Sequence, residues 1–118
     1  MWTEHLTGTA WMDLLMQEVP DGAGGPDATV TLTTVTFAPG SRSDWHRHSA
    51  GQLLVVVSGE GWVGAREQAP HLVRVGDLVW TDPGEDHWHG ATNDSLLTHL
   101  AVTLGSTHWY DEPVDLTT

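Results

Sequence analysis

The segment GSRSDWHRHSAGQLLVVVSG, residues 40–59, decides the fold of this chain. It contains a His-x-His pair, His46 and His48, and then Gln52 at the start of a short apolar run. Residues i and i+2 of a β-strand point to the same face, so both imidazoles can be directed at one point. Gln52 shares their parity if the strand continues through it. The run is too short for a helix and ends at turn residues, which predicts a buried strand over Gln52–Val57.

A second His-x-His pair, His87 and His89, lies in GDLVWTDPGEDHWHG, residues 76–90. Arriving from another strand, His87 would complete a set of three imidazoles and one amide oxygen with His46, His48 and Gln52. Imidazole suits the divalent transition metals, and the oxygen ligand favours the harder ions among them. A neutral amide ligand would strengthen the Lewis acidity of the ion and weaken its retention. In the alternative interpretation, Gln52 caps a turn and three histidines alone hold the metal.

The spacing of glycine, proline and apolar residues is typical of an all-β protein. The 118 residues include 13 Gly and 6 Pro between short apolar runs, and no helical period exceeds two turns. This length predicts one domain, residues 1–118, and the many short strands predict a closed barrel or a jelly roll. Strands are predicted at Thr9–Leu15, Ala28–Phe37, Trp45–His48, Gln52–Val57, Trp62–Arg66, His71–Val75, Leu78–Thr81, His87–Ala91 and Leu96–Leu104, with a loop at Val19–Asp27 and a hairpin joining Gln52–Val57 to Trp62–Arg66.

Four tryptophans have predicted places. Trp45 and Trp88 adjoin predicted ligands, have the opposite parity, and should point away from the metal. Trp80 is predicted to pack in the core. Trp109 and Tyr110 could anchor the polar tail that begins at Ser106.

The charge balance excludes several classes of partner. Sixteen acidic residues face four arginines and no lysine, and the formal charge is −12. This excess disfavours nucleic acid and anionic membrane surfaces, and the lack of lysine excludes Schiff-base chemistry. No apolar stretch approaches a membrane span and the N-terminus lacks the regions of a signal peptide, so we expect a cytoplasmic protein. A barrel this small leaves sheet edges and Trp-rich surface to cover, which predicts a homodimer or homotetramer.

The two histidine segments resemble the two motifs of the cupin family, in the right order and at a suitable separation. Gln52 stands where most cupins have Glu, Asp82 stands where the family usually has Pro, and Ala91 stands where many cupins have Asn. The resemblance covers roughly residues 28–104, the expected metal-binding barrel core. It implies a single-domain jelly-roll β-barrel.

A narrower resemblance rests on WHxHxxGQ, GDxVWxxPGExHWHG and THLA, which are similar to the small manganese-dependent bacterial cupins, including hydroxynitrile lyases. It implies Mn(II) at the site, although Fe(II), Ni(II), Co(II) and Zn(II) also accept three imidazoles. It places His99 of THLA facing the metal, as a general acid or base. The alternative for His99 is a hydrogen-bonded core histidine. His89 has the parity to reach the same cavity, either as a catalytic group or as simple lining.

The expected substrate pocket includes Thr33 and Val35, which the resemblance places across the cavity, and Thr103, which shares a strand face with His99. The leading functional hypothesis is a lyase that cleaves or forms small cyanohydrins, with a small molecule as its partner. The alternatives are an Fe(II)- or Mn(II)-dependent dioxygenase of small organic substrates and a non-catalytic, metabolite-binding cupin.

Overall fold

The chain forms one curled antiparallel β-sheet, and the computed structural model describes residues 2–19 and 28–116. The main path of hydrogen-bonded neighbours runs through the first, fourth, ninth, sixth, tenth, third and second strands. The strands are β1 (Leu6–Thr7), β2 (Ala10–Glu18), β3 (Val30–Phe37), β4 (Arg42–Ser43), β5 (His46–His48), β6 (Gln52–Ala65), β7 (His71–Arg74), β8 (Leu78–Thr81), β9 (His87–Ala91), β10 (Leu97–Leu104) and β11 (Thr107–Trp109). The predicted all-β class is confirmed.

Strand β6 connects the two halves of the sheet. Its first part pairs with β8 and β10, and its second part pairs with β7 and β9. The predicted hairpin between Gln52–Val57 and Trp62–Arg66 is therefore wrong, because the two segments are one continuous strand. Gly59 has φ 77° at the change of partners, and the Glu60 amide donates to the Leu96 carbonyl at 3.0 Å. A left-handed glycine bends the strand there without ending it.

The hydrophobic core spans both halves of the sheet and packs against histidines. Phe37 is fully buried, and its ring centroid lies 5.6 Å from that of His89 and 6.0 Å from that of His99. Burial of such a side chain contributes about 1.5–3 kcal/mol. The buried cluster contains Ala10, Val35, Phe37, Val56, Val73, Ala91 and Leu97. The histidine-rich site therefore rests directly on the core.

The outer face of the half-sheet formed by β8, β6, β10, β3 and β2 carries an apolar row. The five side chains of this row belong to register partners on five adjacent strands. They point outward, because Leu54 and Ala101, which precede or follow them by one residue, point inward and are buried. Trp80, at one end of the row, is 53% exposed, so its predicted core position is wrong. The row consists of Trp80, Leu53, Val102, Leu32 and Met16. An antiparallel sheet normally has one polar face, so this surface requires a separate explanation.

Most predicted strands lie within two residues of the observed ones, and Leu78–Thr81 and His87–Ala91 match at both ends. The edge strand β2 extends to Glu18, beyond the predicted Leu15. Apart from Val19, the predicted loop Val19–Asp27 falls outside the described residues. Within residues 2–19 and 28–116, no helix is long and apolar enough to cross a membrane.

Candidate metal centre

Five buried histidines from three strands gather on the inner side of the sheet. His46 and His87 are register partners of β5 and β9, and their ring centroids are 4.2 Å apart. His48 lies 4.9 Å from His87, and His89 lies 5.1 Å from His46, also between centroids. His99 of β10 lies 4.8 Å from His89. The two His-x-His pairs therefore face one another across adjacent strands.

Main-chain carbonyls orient two of these rings. The Nδ1–H of His46 donates to the Asp44 carbonyl at 2.8 Å, and that of His87 donates to the Glu85 carbonyl at 3.1 Å. His48 Nδ1 lies 2.8 Å from the Thr107 hydroxyl. A proton at Nδ1 leaves the lone pair at Nε2, which is how outer contacts prepare an imidazole to bind a metal.

Gln52 is held with its amide oxygen toward the histidines. Its Nε2 donates to the Thr103 hydroxyl at 2.9 Å, and its Oε1 lies 3.2 Å from His87 Nε2. With the His87 proton at Nδ1, two lone pairs face each other across this gap, and they repel unless a cation lies beside both. Adjacent ligands bound to one ion at about 2.1 Å are themselves about 3 Å apart. The residues therefore fit a divalent metal.

The remaining two histidines form a pair. His99 Nε2 lies 3.2 Å from His89 Nδ1, so one proton can join the two rings. Three buried ring nitrogens, His48 Nε2, His89 Nε2 and His99 Nδ1, have no hydrogen-bond partner among the described residues. Buried nitrogens without partners are costly, and an ion or a polar ligand would satisfy them.

Burial keeps the five imidazoles neutral near pH 7. It lowers the pKa of His48 to about 3 and that of His99 to about 4. Burial also lowers the pKa values of His46, His87 and His89, and neighbouring histidines lower those of His46 and His89 further. Neutral imidazole is the form that binds metals.

The geometry brings together more candidate ligands than one ion needs. Ring nitrogens of His46, His87 and His89 all lie within 4.8 Å of one another. Two of these residues, His46 and His87, are also predicted ligands. The full predicted ligand set of His46, His48, Gln52 and His87 stays a prediction. His48 and His89 lie on either side of the His46–His87 pair, each with an unpartnered Nε2.

A cavity of about 610 Å³ opens over the cluster. Every predicted site residue except His87 lines it, including the predicted pocket residues Thr33, Val35 and Thr103. Sequence reasoning missed several wall residues, namely Trp2, His5, Met12, Gln17, Thr107 and Trp109. For Thr107 and Trp109 the sequence did contain a signal, because residues two apart in a strand point to the same face and these two could have been assigned to the cavity together.

The predicted positions of Trp45 and Trp88 can also be compared with the structure. Trp88 is buried and adjoins Gly64, at which an added Cβ would overlap its indole. Trp45 packs beneath the Arg66 guanidinium, 4.0 Å from the ring centroid. Neither is among the residues that line the cavity, in the described part of the chain.

A family model described as a cupin domain matches residues 33–103. This chain is a cupin. The family predicted from the two motifs is thus confirmed, together with the all-β cupin fold. The cupin is 45% identical over 99 residues to a protein named (R)-mandelonitrile lyase from Granulicella tundricola, and the match covers 84% of this chain and 71% of that protein.

Solved structures agree on the fold. A cupin-like protein from Thermotoga maritima has a TM-score of 0.78 and 32% identity, over 92% of this cupin and 81% of that chain. Another Thermotoga maritima protein, described as a predicted oxalate decarboxylase, has a TM-score of 0.68 and 21% identity, over 86% and 84% of the two chains. The second similarity bears on the fold alone.

Proposed function

We propose that this cupin is a divalent-metal-dependent lyase that cleaves or forms small cyanohydrins. The observation that carries the proposal is 45% identity to a relative named (R)-mandelonitrile lyase. The buried histidine cluster supports it, because cyanohydrin cleavage needs an electrophile for the substrate oxygen and a group that exchanges a proton. The lack of lysine leaves few other cationic groups near the cavity to receive cyanide.

The proposed ligands are His46, His48, Gln52 and His87, and the proposed ion is Mn(II). When bound, the ion would supply Lewis acidity that stabilises negative charge on the substrate oxygen. Gln52 supports this assignment through its fixed orientation, since Thr103 holds its Nε2 and leaves Oε1 facing His87. His89 is the alternative third imidazole, because its nitrogen lies within 4.8 Å of those of His46 and His87.

The His99–His89 pair is the proposed proton carrier. In cleavage, the hydroxyl proton leaves the cyanohydrin, the carbon–carbon bond to the nitrile breaks, and its electron pair departs with cyanide, which then takes up a proton. The link between His99 Nε2 and His89 Nδ1 lets the pair accept the first proton and deliver the second. Val35 and Thr33 form part of the neighbouring wall, where the organic group of the substrate would lie.

The test combines metal content with product detection. Protein purified without added metal is assayed by elemental analysis, then loaded separately with Mn(II), Fe(II) and Zn(II) and supplied with racemic mandelonitrile. Benzaldehyde and cyanide released in equal amounts by one loaded form, and by no metal-free sample, support the proposal. Oxygen uptake with small phenols and no cyanide release would favour the dioxygenase alternative instead. Failure to retain any divalent ion would favour the metabolite-binding alternative.

We also propose that the cupin assembles as a homodimer or homotetramer through the outer row that contains Trp80, Leu53 and Met16. The row has no charged residue, whereas the chain carries −12, so it is a surface on which a second copy meets little repulsion. Strand β2 supports the assignment, because Trp11 to Glu18 are exposed along this edge. The proposed location is the cytoplasm, which cell fractionation would test.

A further inference from the structure

A second group of potential ligands lies outside the histidine cluster, and one member of it, His5, lines the cavity. The group consists of His5, Asp44 and Asp111, which come from three distant parts of the chain. Their ligand atoms all lie within 4.8 Å of one another. His5 Nδ1 is 2.9 Å from Asp111 Oδ1, and His5 Nε2 is 3.7 Å from Glu4 Oε2. The group thus combines one imidazole with two carboxylates, and a third carboxylate lies close by.

Asp44 is the unusual member of this group. The residue is 7% exposed, yet no hydrogen bond from a described residue reaches its carboxylate. Its main-chain groups are used, since its amide donates to the His5 carbonyl at 2.8 Å and its carbonyl accepts from His46. A largely buried carboxylate to which no group donates is stabilised by a cation beside it.

The donor set suits a divalent cation. One imidazole nitrogen with two carboxylate oxygens is a frequent partial shell for Zn(II) and Mn(II), completed by water or a further carboxylate. His5 Nδ1 and Asp111 Oδ1 are hydrogen-bonded at 2.9 Å, and because adjacent ligands of one ion lie about 3 Å apart, a cation can replace the shared proton with little movement of either group. Glu4, Asp44 and Asp111 together supply three negative charges for such an ion.

We propose that His5, Asp44 and Asp111 form a second divalent-cation site, which has a structural role. An ion there would tie the N-terminal segment, the link between β4 and β5, and the C-terminal tail into one unit. It would also stabilise the site described above, because the Asp44 carbonyl orients His46 and Trp109 stacks on His5 at 4.7 Å. The proposal does not depend on the lyase reaction, since it concerns ion binding alone.

The test counts manganese ions per chain. Metal-free protein is dialysed to equilibrium against about 1 mM free Mn(II), the weak limit for oxygen-ligand sites, and bound metal is measured by elemental analysis. The wild type should bind two ions, Asp111→Asn should bind one, and His87→Ala should keep the ion at Asp44. Asp94→Asn, which removes an exposed acid elsewhere, is the matched control and should bind two.

A second measurement protects the test against a variant that folds poorly. Mn(II) should still raise the melting temperature of His87→Ala, and should no longer do so when Asp111→Asn is added to it. A wild-type protein that binds one ion at this concentration overturns the proposal. Asp111→Asn and His5→Gln variants that both bind two ions overturn it as well. A wild-type protein that binds two ions but does not cleave mandelonitrile would contradict the proposed function and would still support the second site.

Discussion

Replacing Thr103 by Val tests whether Gln52 binds the metal through its oxygen. The Thr103 hydroxyl accepts a hydrogen bond from Gln52 Nε2 at 2.9 Å, and this contact determines which end of the amide faces His87. Valine has nearly the same shape but cannot accept that bond. The amide is then free to rotate by half a turn, which would direct its NH₂ group toward the cation and repel it.

The expected loss follows from the single hydrogen bond. Removing it costs about 1 kcal/mol, and leaving the buried Nε2 without an acceptor adds about 1–2 kcal/mol. Because every 1.4 kcal/mol is a factor of ten, affinity for Mn(II) should fall about 30- to 140-fold, near the upper end of the effect that contacts behind a metal ligand usually have. Competition with a fluorescent chelator measures this affinity without any reference to turnover.

Thr31→Val is the matched control. Thr31 is the register partner of Thr103 on β3 and also lines the cavity, but its hydroxyl accepts from Gln17 Nε2 at 3.0 Å. The Thr31→Val variant should therefore bind Mn(II) as tightly as the wild type. Thr103→Ser, which restores the hydroxyl, should recover most of the affinity. Equal Mn(II) affinity in Thr103→Val and Thr31→Val would refute the assignment of Gln52 as a ligand.

Three further predictions concern catalysis, acid stability and assembly. His99→Ala should retain its metal and lose about 10²–10⁴ in mandelonitrile turnover; a variant with full metal content and full turnover would remove His99 from the mechanism. The metal-free protein should become less stable to urea as the pH falls below 6.5. Burial lowers the pKa of His48 to about 3 and that of His99 to about 4 in the folded protein, whereas histidines of the unfolded chain titrate near 6.5, so protonation favours the unfolded chain. A free energy of unfolding that stays constant between pH 7 and about pH 5 would contradict this. Light scattering should show a dimer or tetramer that Trp80→Ser together with Met16→Ser converts to smaller species, whereas a monomeric wild type would exclude the interface.

The strands and the histidine cluster could be predicted from the sequence because they depend on local rules. His-x-His places two rings on one strand face, and Pro83 and Gly84 close the turn before His87, so both ends of β9 were predicted correctly. The hairpin at Gly59 was predicted wrongly for the same kind of reason. Glycine signals a change of direction, but only the neighbouring strand decides whether the chain turns back or continues with a bend.

Thr33, Val35 and Thr103 of the cavity wall were predicted, but the rest of the wall was not. Trp2, Met12 and Trp109 come from segments that carry no motif, and they meet the histidines only through tertiary packing. The position of Trp80 shows the same limit. Alternation places Trp80 on one of two faces, and both faces of this half-sheet carry apolar residues. Nothing in the local sequence distinguishes the inner face from the outer one.

The pairing of distant strands has a consequence for how the protein matures in the cell. His48 is oriented by Thr107, which lies 59 residues later, and β10 inserts between β3 and β6. At about 5–20 residues per second, a ribosome adds those residues in roughly 3–12 s. Until then the first two histidines belong to an incomplete sheet, and non-local β-pairing is itself slow. Metal should therefore enter after release of the full chain, so the ion acquired depends on the free metal pool at that time rather than during synthesis.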